Sequence, residues 1–425
     1  MASGPVAVDL PTVLRLSRDR SLDARIVRER VREAYARQIS ARERFLPTLF
    51  LGARFATHGG ITQETAGAFL DITKQSSSAG GVVALQWEIG EAVYASLAAR
   101  QRTEASRAAS EAGGAGAALK AGHAYLDLVG AQASLSVAEE AVTLAESVLK
   151  ETEGKVAAGG GFRGDLLRAR AQLGHERLVL DTAREEVRRS SLRLAELLDL
   201  PPEVELRATD PAPVRLSLVQ PAPEEELVAA ALRDRPEIRE AAYLQAAAAR
   251  ESDAARYGPW VPTVAGEASL GGFGQTFGDL GQSDDYRIGL LWKIGPGGLF
   301  DAGRKRGAKS RLAIAELEVA RIRAQVAREV LEANAAVLFR ASSIDVAAAG
   351  VKDAAEALDL YRERLKGGIG LPLEAVLAEE GLARARRDWI QMTVEYDQAQ
   401  LRLLHALGGG RLADDASGER DAARD

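Results

Sequence analysis

Residues that could carry out chemistry on a substrate are few and scattered. The chain has 425 residues, no cysteine and four histidines, each isolated in sequence: His58, His123, His175 and His405. The absence of cysteine excludes disulfides, thiolate metal sites and cysteine nucleophiles in this chain. Isolated histidines indicate solvated or locally bonded side chains rather than a metal cluster or a catalytic base.

Two further motifs have the residue types of an enzyme site. Glu139-Glu140 and Glu379-Glu380 are paired carboxylates, but adjacent residues diverge on a helix, which argues against a catalytic dyad. The run Gly159–Gly161 suggests a phosphate loop, yet no Gly-Lys-Ser/Thr follows it and no strand precedes it. Without a nucleophile–base pair or a cofactor loop, the sequence predicts no enzymatic activity, no cofactor and no metal.

Charge and hydropathy narrow the class of protein. The 55 Lys and Arg residues against 61 Asp and Glu leave a net charge of −6, which argues against nucleic acid as the main partner. No stretch reaches the ~18 consecutive apolar residues of a transmembrane helix. Met1–Leu10 lacks the regions of a secretory signal, so we expect either a cytosolic protein or one whose signal is absent from the chain as given.

The prolines divide the chain into long helical tracts. None of the 14 prolines falls between Pro47 and Pro201 or between Pro296 and Pro372, whereas six crowd into 201–223. Residues 91–158 are predicted to form one helix of roughly 65 residues, on the order of 100 Å long. The second tract carries one narrow apolar stripe at helical spacing, formed by Leu312, Ala315, Val319, Ile322, Val326, Val330, Ala333 and Val337. Such a stripe is typical of helices that pack side by side over a long distance.

The two halves of the chain repeat each other. Phe45-Leu46-Pro47-Thr48 returns 215 positions later as Trp260-Val261-Pro262-Thr263, and Trp87-Glu88-Ile89-Gly90 returns 205 positions later as Trp292-Lys293-Ile294-Gly295. The order of these landmarks indicates a duplication, with a loop shortened by ten residues between them. We therefore predict a first repeat at 9–200, a Pro-rich linker at 201–223, a second repeat at 224–409 and a polar, flexible tail at 410–425.

Each repeat also carries two segments with the alternation of β-strands. Residues 49–56 and 83–89 alternate in the first repeat, 264–271 and 288–294 in the second, with predicted loops at Gly59–Gly80 and Gly274–Asp284. Strands of ~9–11 residues with one apolar face suit a transmembrane barrel or a half-buried soluble sheet. Because four strands cannot close around a channel, the membrane alternative needs several chains. In the transmembrane-barrel alternative, the residues expected to face lipid are Leu49, Leu51, Phe55, Val83, Leu85, Trp87, Val264, Leu270, Ile288, Leu290 and Trp292.

Glycine-rich turns break both helical tracts at equivalent points. The first turn lies within Lys155–Leu167 and the second within Arg364–Leu377. Glycine ends a helix by permitting positive φ, and Asp165 or Glu374 then falls in the first turn of the next helix, where its charge complements the helix dipole.

The ordered set of motifs resembles the TolC-like outer-membrane efflux protein family from about Asp9 to Gly409. The most specific parts are the two Pro-started strands, the stretch Ala124–Leu128 in the long helix and the turn from Lys155 to Leu167. The second turn departs from the family pattern, because Glu374 replaces an aspartate and one extra residue precedes Val376-Leu377.

The resemblance implies a fold that is mainly α with a small β part. Duplicated helical hairpins would form an α-barrel tunnel, and four strands per chain would contribute to a twelve-stranded barrel in a homotrimer. It further implies an outer-membrane channel that extends into the periplasm and serves a tripartite efflux or type I secretion system, with a periplasmic adaptor, an inner-membrane pump and outer-membrane lipid as partners. The alternative is a soluble or periplasmic coiled-coil scaffold without channel activity.

The resemblance also assigns roles to the turns. An acidic periplasmic gate is expected from Asp165, Glu374, Glu379, Glu380, Arg163 and Arg364, with Arg362 as a further partner for the carboxylates. Adaptor docking is expected at Gly159, Gly160, Gly161, Phe162, Gly164, Gly367, Gly368, Gly370 and Leu371. The alternatives are that these carboxylates are solvated charges at helix starts and that the glycines only reverse the chain.

Overall fold

The computed structural model describes residues 5–58, 61–63, 66–70, 76–276, 278–366 and 372–409. Most of them are helical, and a smaller part forms strands, as the sequence predicts. The helices are α1 (Leu10–Arg20), α2 (Leu22–Glu43), α3 (Ile89–Ala157), α4 (Arg163–Leu197), α5 (Glu224–Asp234), α6 (Pro236–Tyr257), α7 (Ala302–Lys366) and α8 (Pro372–Ala406). The strands are β1 (Val6–Val8), β2 (Thr48–His58), β3 (Thr62–Gln63), β4 (Phe69–Leu70), β5 (Ser76–Trp87), β6 (Leu206–Ala208), β7 (Thr263–Gly274) and β8 (Gly281–Leu291).

The two long helical tracts each form a hairpin. The 69 residues of α3 are followed by the 35 of α4, and the 65 residues of α7 are followed by the 35 of α8. The mainly α fold with duplicated long hairpins is therefore confirmed. No described helix is both long and apolar enough to cross a membrane.

The two strand pairs join into one sheet. Its order is β2-β5-β7-β8 with every neighbouring pair antiparallel, so each repeat supplies one hairpin and β5 pairs with β7 between the repeats. Among the described residues, β2 and β8 pair on one side only and form the two edges of the sheet.

The strands extend into both predicted loops. Ser76–Gly80 belongs to β5, and Gly281–Asp284 belongs to β8. Both segments are rich in residues with low strand propensity, but pairing along a neighbouring strand satisfies their backbone groups and outweighs that propensity. The remainder of the first loop includes the two-residue strands β3 and β4.

Two strand ends predicted from alternation are wrong by a few residues. Ile89 begins α3, where the carbonyl of Glu88 accepts the first helical hydrogen bond from Ala92 at 3.0 Å. In the second repeat β8 ends at Leu291, because the next residues turn through Gly295 and Gly297, which have φ of +105° and +75°. Only glycine adopts such angles without strain, so the chain leaves the sheet there.

Buried apolar residues form two clusters around the helices. One joins β1, α1, α3, α4 and β6 to α8 and includes Leu14, Tyr125 and Leu194, while the other joins α5, α6 and α7 to α8. Val326, Val330, Ala333 and Val337 lie in the second cluster, which confirms that the stripe on α7 faces other helices.

The described residues fall into two compact units. One takes Met1–Glu29, Ala108–Ile238 and Ile322–Asp425, and the other takes Arg30–Arg107 and Arg239–Arg321. Each unit combines segments from both sequence repeats, since the long helices contribute to both units. The repeat boundaries at 9–200, 201–223 and 224–409 therefore describe the duplication in sequence and stay predictions, and the predicted tail at 410–425 lies outside the described residues.

Candidate functional site

The turn between α3 and α4 exposes backbone and one aromatic ring. Gly159 has φ of +78°, and its N–H donates to the carbonyl of Val156 at 3.1 Å while that of Gly160 donates to Lys155 at 3.1 Å. These bonds satisfy the last carbonyls of α3 as the chain reverses. Phe162 follows with 74% of its surface exposed. The first predicted docking tip is therefore a glycine turn beside an exposed ring.

The second predicted docking tip lies outside the part of the chain that the structure describes. Gly367, Gly368, Gly370 and Leu371 lie outside the described residues, between the end of α7 and the start of α8.

The predicted gate residues at the starts of α4 and α8 differ in their arginine partners. Asp165 stands in the first turn of α4 and Glu374 in the first turn of α8. Arg364 Nη1 lies 3.8 Å from Glu374 Oε2, whereas Arg163 forms no ion pair with Asp165 among the described residues. Glu374 therefore pairs with one of the arginines that the sequence predicts, whereas Asp165 does not pair with Arg163 in the described part of the chain.

Glu379 and Glu380 occupy different surroundings although they are adjacent. Arg384 holds Glu380 at 3.0 Å on the same helix. Glu379 faces α7, where Arg362 Nη2 lies 3.6 Å from Oε1, and that oxygen is buried with no hydrogen-bond partner among the described residues. Burial raises the pKa of Glu379 to about 7, although Arg362 opposes the shift.

The sheet register places the predicted lipid-facing residues on one face. Leu49 is opposite Leu85 and Leu51 is opposite Val83, while Trp87 is opposite Val264 on the next strand. Side chains directly opposite each other share a face, and so do alternate residues along a strand. The same face continues through Phe55, Leu270, Ile288 and Leu290.

The apolar face is most exposed on the two edge strands. Leu51 on β2 is 82% exposed and Ile288 on β8 is 84% exposed, whereas Leu85, Trp87 and Val264 on the inner strands are half-buried. The opposite face is mixed: it includes Glu267 directly across from Arg287, together with exposed Phe50 and Phe273.

Trp292 stands just outside the strand to which the sequence assigned it. It follows Leu291, the last residue of β8, and its indole Nε1 donates to the carbonyl of Trp260 at 3.2 Å. Trp292 thereby ties the end of β8 to the segment that leads into β7.

Sequence reasoning missed the residues that hold the linker to the helices. Tyr125, 1% exposed, donates its hydroxyl to Asp210 at 2.7 Å. Asp397 Oδ1 accepts the N–H of Leu216 at 2.9 Å, and burial raises the pKa of Asp397 to about 7. The available signal was Tyr125 itself, because it lies between Ala124 and Leu126 in the long helix and a buried tyrosine hydroxyl usually needs a partner.

A second anchor lies one turn further along α8. Gln400 Oε1 accepts the N–H of Val219 at 3.3 Å, and its Nε2 donates to the hydroxyl of Tyr396 at 2.9 Å. The guanidinium of Arg215 stacks over the ring of Tyr396 at 5.1 Å and lies 3.5 Å from Asp345 on α7. The linker is thus bound to both helices of the second hairpin.

The described residues present no group of three or more acidic or histidine side chains arranged for a metal ion.

One protein-family model matches part of the chain. Residues 227–409 match the outer membrane efflux protein family. No curated protein matches the chain significantly.

Several solved structures share the fold over almost the whole chain. The outer-membrane channel OprN is 22% identical with a TM-score of 0.77, and the match covers 94% of this chain and 90% of that one. VceC of Vibrio cholerae is 18% identical with a TM-score of 0.74, covering 94% and 96%. The open state of the MtrE channel of Neisseria gonorrhoeae is 22% identical with a TM-score of 0.70, covering 94% and 89%.

Together these matches confirm the resemblance to TolC-like outer-membrane efflux proteins. The family that residues 227–409 match is an outer-membrane family, which agrees with the predicted location, and the solved structures share the fold.

Proposed function

We propose that this chain, whose second repeat matches the outer membrane efflux protein family, is the exit channel of a tripartite efflux or type I secretion system. In this role it takes substrate from an inner-membrane pump and a periplasmic adaptor and passes it across the periplasm and the outer membrane. The matching family is one of efflux proteins, and no enzymatic activity forms part of the proposal.

The observation that carries the proposal is the open four-stranded sheet with its exposed apolar face. Its edges, β2 and β8, are each 11 residues long, and the neighbouring β5 is 12 residues long, which suits the ~9–11 residues of a tilted membrane-spanning strand. Unpaired backbone groups are too costly in lipid for an open sheet to span a membrane. Pairing of β8 with β2 of another copy satisfies both edges, and three copies close a twelve-stranded barrel.

The helical hairpins supply the second part of the channel. Three copies bring together six long hairpins, which suits a tunnel lined by helices. The exposed turn at Gly159–Phe162 presents backbone to which the helices of an adaptor can pack closely.

The acidic residues near the tips are proposed to form the gate. Three copies of Asp165 and Glu374 around one axis make a ring of carboxylates. The surrounding helices have a low dielectric constant and would focus the electric field of this ring. The pair of Arg364 with Glu374 is suited to keep the helices closed until the adaptor separates them.

A membrane fractionation and reconstitution experiment tests the proposal. We expect the protein in the outer-membrane fraction, extracted only by detergent, as a trimer by chemical cross-linking and with single-channel conductance in planar bilayers. A monomer that is released without detergent and has no conductance would instead support the coiled-coil scaffold.

A further inference from the structure

A small cavity with a mainly apolar lining and several carboxylates lies where α3, α4 and α8 meet. Its volume is about 50 Å³, which has room for water. Carboxylates from all three helices line it, together with one arginine: Glu140, Glu176, Glu379, Glu380 and Arg386.

Two of these carboxylates each pair with an arginine of α8. Glu140 on α3 pairs with Arg386, and Glu380 on α8 pairs with Arg384 at 3.0 Å. Their charges are therefore compensated locally, and they serve as reference groups within the same cavity.

Glu176 and Glu379 are the two carboxylates that remain. Glu176 on α4 is only 6% exposed, and Gln172 Nε2 donates to its Oε1 at 2.7 Å. The Glu379 oxygen nearer to α7 is buried without a hydrogen bond among the described residues. The cation that faces it is Arg362 on α7, at 3.6 Å.

The pKa of Glu379 is raised by some of its surroundings and lowered by others. Burial raises its pKa from 4.5 to about 7, and the charge of Glu176 adds to that rise, while Arg362 lowers it. Near neutral pH, Glu379 therefore changes charge within a cavity shared with another carboxylate.

We propose that Glu176 and Glu379 form a proton-dependent contact that holds α4 against α8. Neutral Glu379 can donate its O–H to Glu176, directly or through a water molecule in the cavity. Ionised Glu379 is repelled by Glu176 and attracted by Arg362, so deprotonation loosens the contact between the hairpins and tightens the contact between α7 and α8. The contact lies within one chain and does not depend on the proposed channel role.

The pH dependence follows from the direction of the shift. A carboxyl group whose pKa is raised by folding stabilises the folded arrangement while it is protonated. This stabilisation is fully present below 4.5 and is lost as the pH rises through about 7. Raising the pH through neutrality is therefore expected to separate α4 from α8.

Distance measurements between spin labels test the proposal on the full-length protein in detergent. Since the chain has no cysteine, Leu178→Cys on α4 and Leu377→Cys on α8 introduce the only thiols, at residues that are 68% and 57% exposed. Labelled chains are diluted with unlabelled chains so that only distances within one chain are measured. We expect the distance to increase between about pH 5.5 and about pH 8.5, with a midpoint near neutrality.

Variants move the midpoint in opposite directions. Glu379→Gln, which is neutral at every pH, should abolish the pH response. Glu176→Gln should reduce the distance change and lower its midpoint, because it removes the charge that repels ionised Glu379. Arg362→Gln should raise the midpoint by about one pH unit or more. Glu380→Gln is the matched control and should leave the midpoint of the distance change where it is in the wild-type protein.

Either of two results would overturn the proposal. The first is a wild-type distance that stays constant across this pH range. The second is a pH response that persists in the Glu379→Gln variant.

Discussion

At the residue scale, Gly160 offers a direct test of the docking tip. A Cβ atom on Gly160 would have the Lys155 carbonyl oxygen, at 4.0 Å, as its nearest neighbour, whereas one on Gly161 would come within 2.8 Å of the Val156 backbone nitrogen. A bulky side chain at Gly160 is therefore accommodated by the turn itself and projects outward.

We predict that Gly160→Trp abolishes export while the trimer still assembles. Export is measured as restored resistance in cells that lack their own copy of the channel, and assembly by chemical cross-linking. Arg177→Trp, on the exposed surface of α4 away from the turn, is the control and should retain export. Loss of the trimer in Gly160→Trp would favour the alternative that the glycines only reverse the chain.

Tyr125 joins the long helix α3 to the linker. Its hydroxyl bonds to Asp210 at 2.7 Å from a position that is 1% exposed. We predict that Tyr125→Phe lowers the free energy of unfolding by about 1–3 kcal/mol, since the change weakens a hydrogen bond to a charged group. Denaturant titration in detergent measures it, with the more exposed Tyr243→Phe as the control. An equal effect of both variants would contradict the anchoring role.

At the element scale, the two faces of β5 should respond differently to charge. Leu85 shares the exposed apolar face with Leu49, and its neighbour Gln86 points to the other face. We predict that Leu85→Arg costs up to about 2–4 kcal/mol of membrane assembly, depending on its depth in the bilayer, whereas Gln86→Arg is tolerated.

Heat stability of the assembled trimer and its yield in the membrane fraction measure this difference. The same pair in the second repeat, Leu290→Arg against Gly289→Arg, is an independent replicate, because Leu290 shares a face with Val264. Equal tolerance at both positions of each pair would exclude the assignment of the lipid face.

At the scale of the whole molecule, the predicted gate requires the assembled trimer. Asp165 and Glu374 are single charges in one chain, and only threefold repetition concentrates their field around an axis. We predict that Asp165→Ala combined with Glu374→Ala raises the resting conductance in planar bilayers or removes block by divalent and trivalent cations.

Asp353→Ala, which removes one carboxylate elsewhere, is a control for the gate, because Asp353 is exposed on α7 outside the first turn of either return helix. The Asp353→Ala variant should leave the resting conductance and the block by divalent and trivalent cations unchanged. Unchanged conductance and block in the double variant would show that the two carboxylates act only as helix-start charges.

The sequence by itself determined the elements and their duplication. Long proline-free tracts predict α3 and α7, apolar spacing predicts the buried face of α7, and alternation predicts the strands to within a few residues of their ends. These features are local, because helix hydrogen bonds and side-chain periodicity involve residues close in sequence. The turn residues Gly159 and Asp165 were visible for the same reason.

Only the tertiary structure decided which distant groups meet. It pairs β5 with β7 across nearly two hundred residues, anchors the linker through Tyr125 and Asp397, and turns Glu379 inward while Glu380 pairs with Arg384. Adjacent glutamates look alike in sequence, but burial raises the pKa of Glu379, and burial depends on which helices pack around a residue. Packing between elements is set by contacts over long sequence separations, so neither the pairing of β5 with β7 nor the cavity shared by Glu176 and Glu379 could be predicted from local pattern.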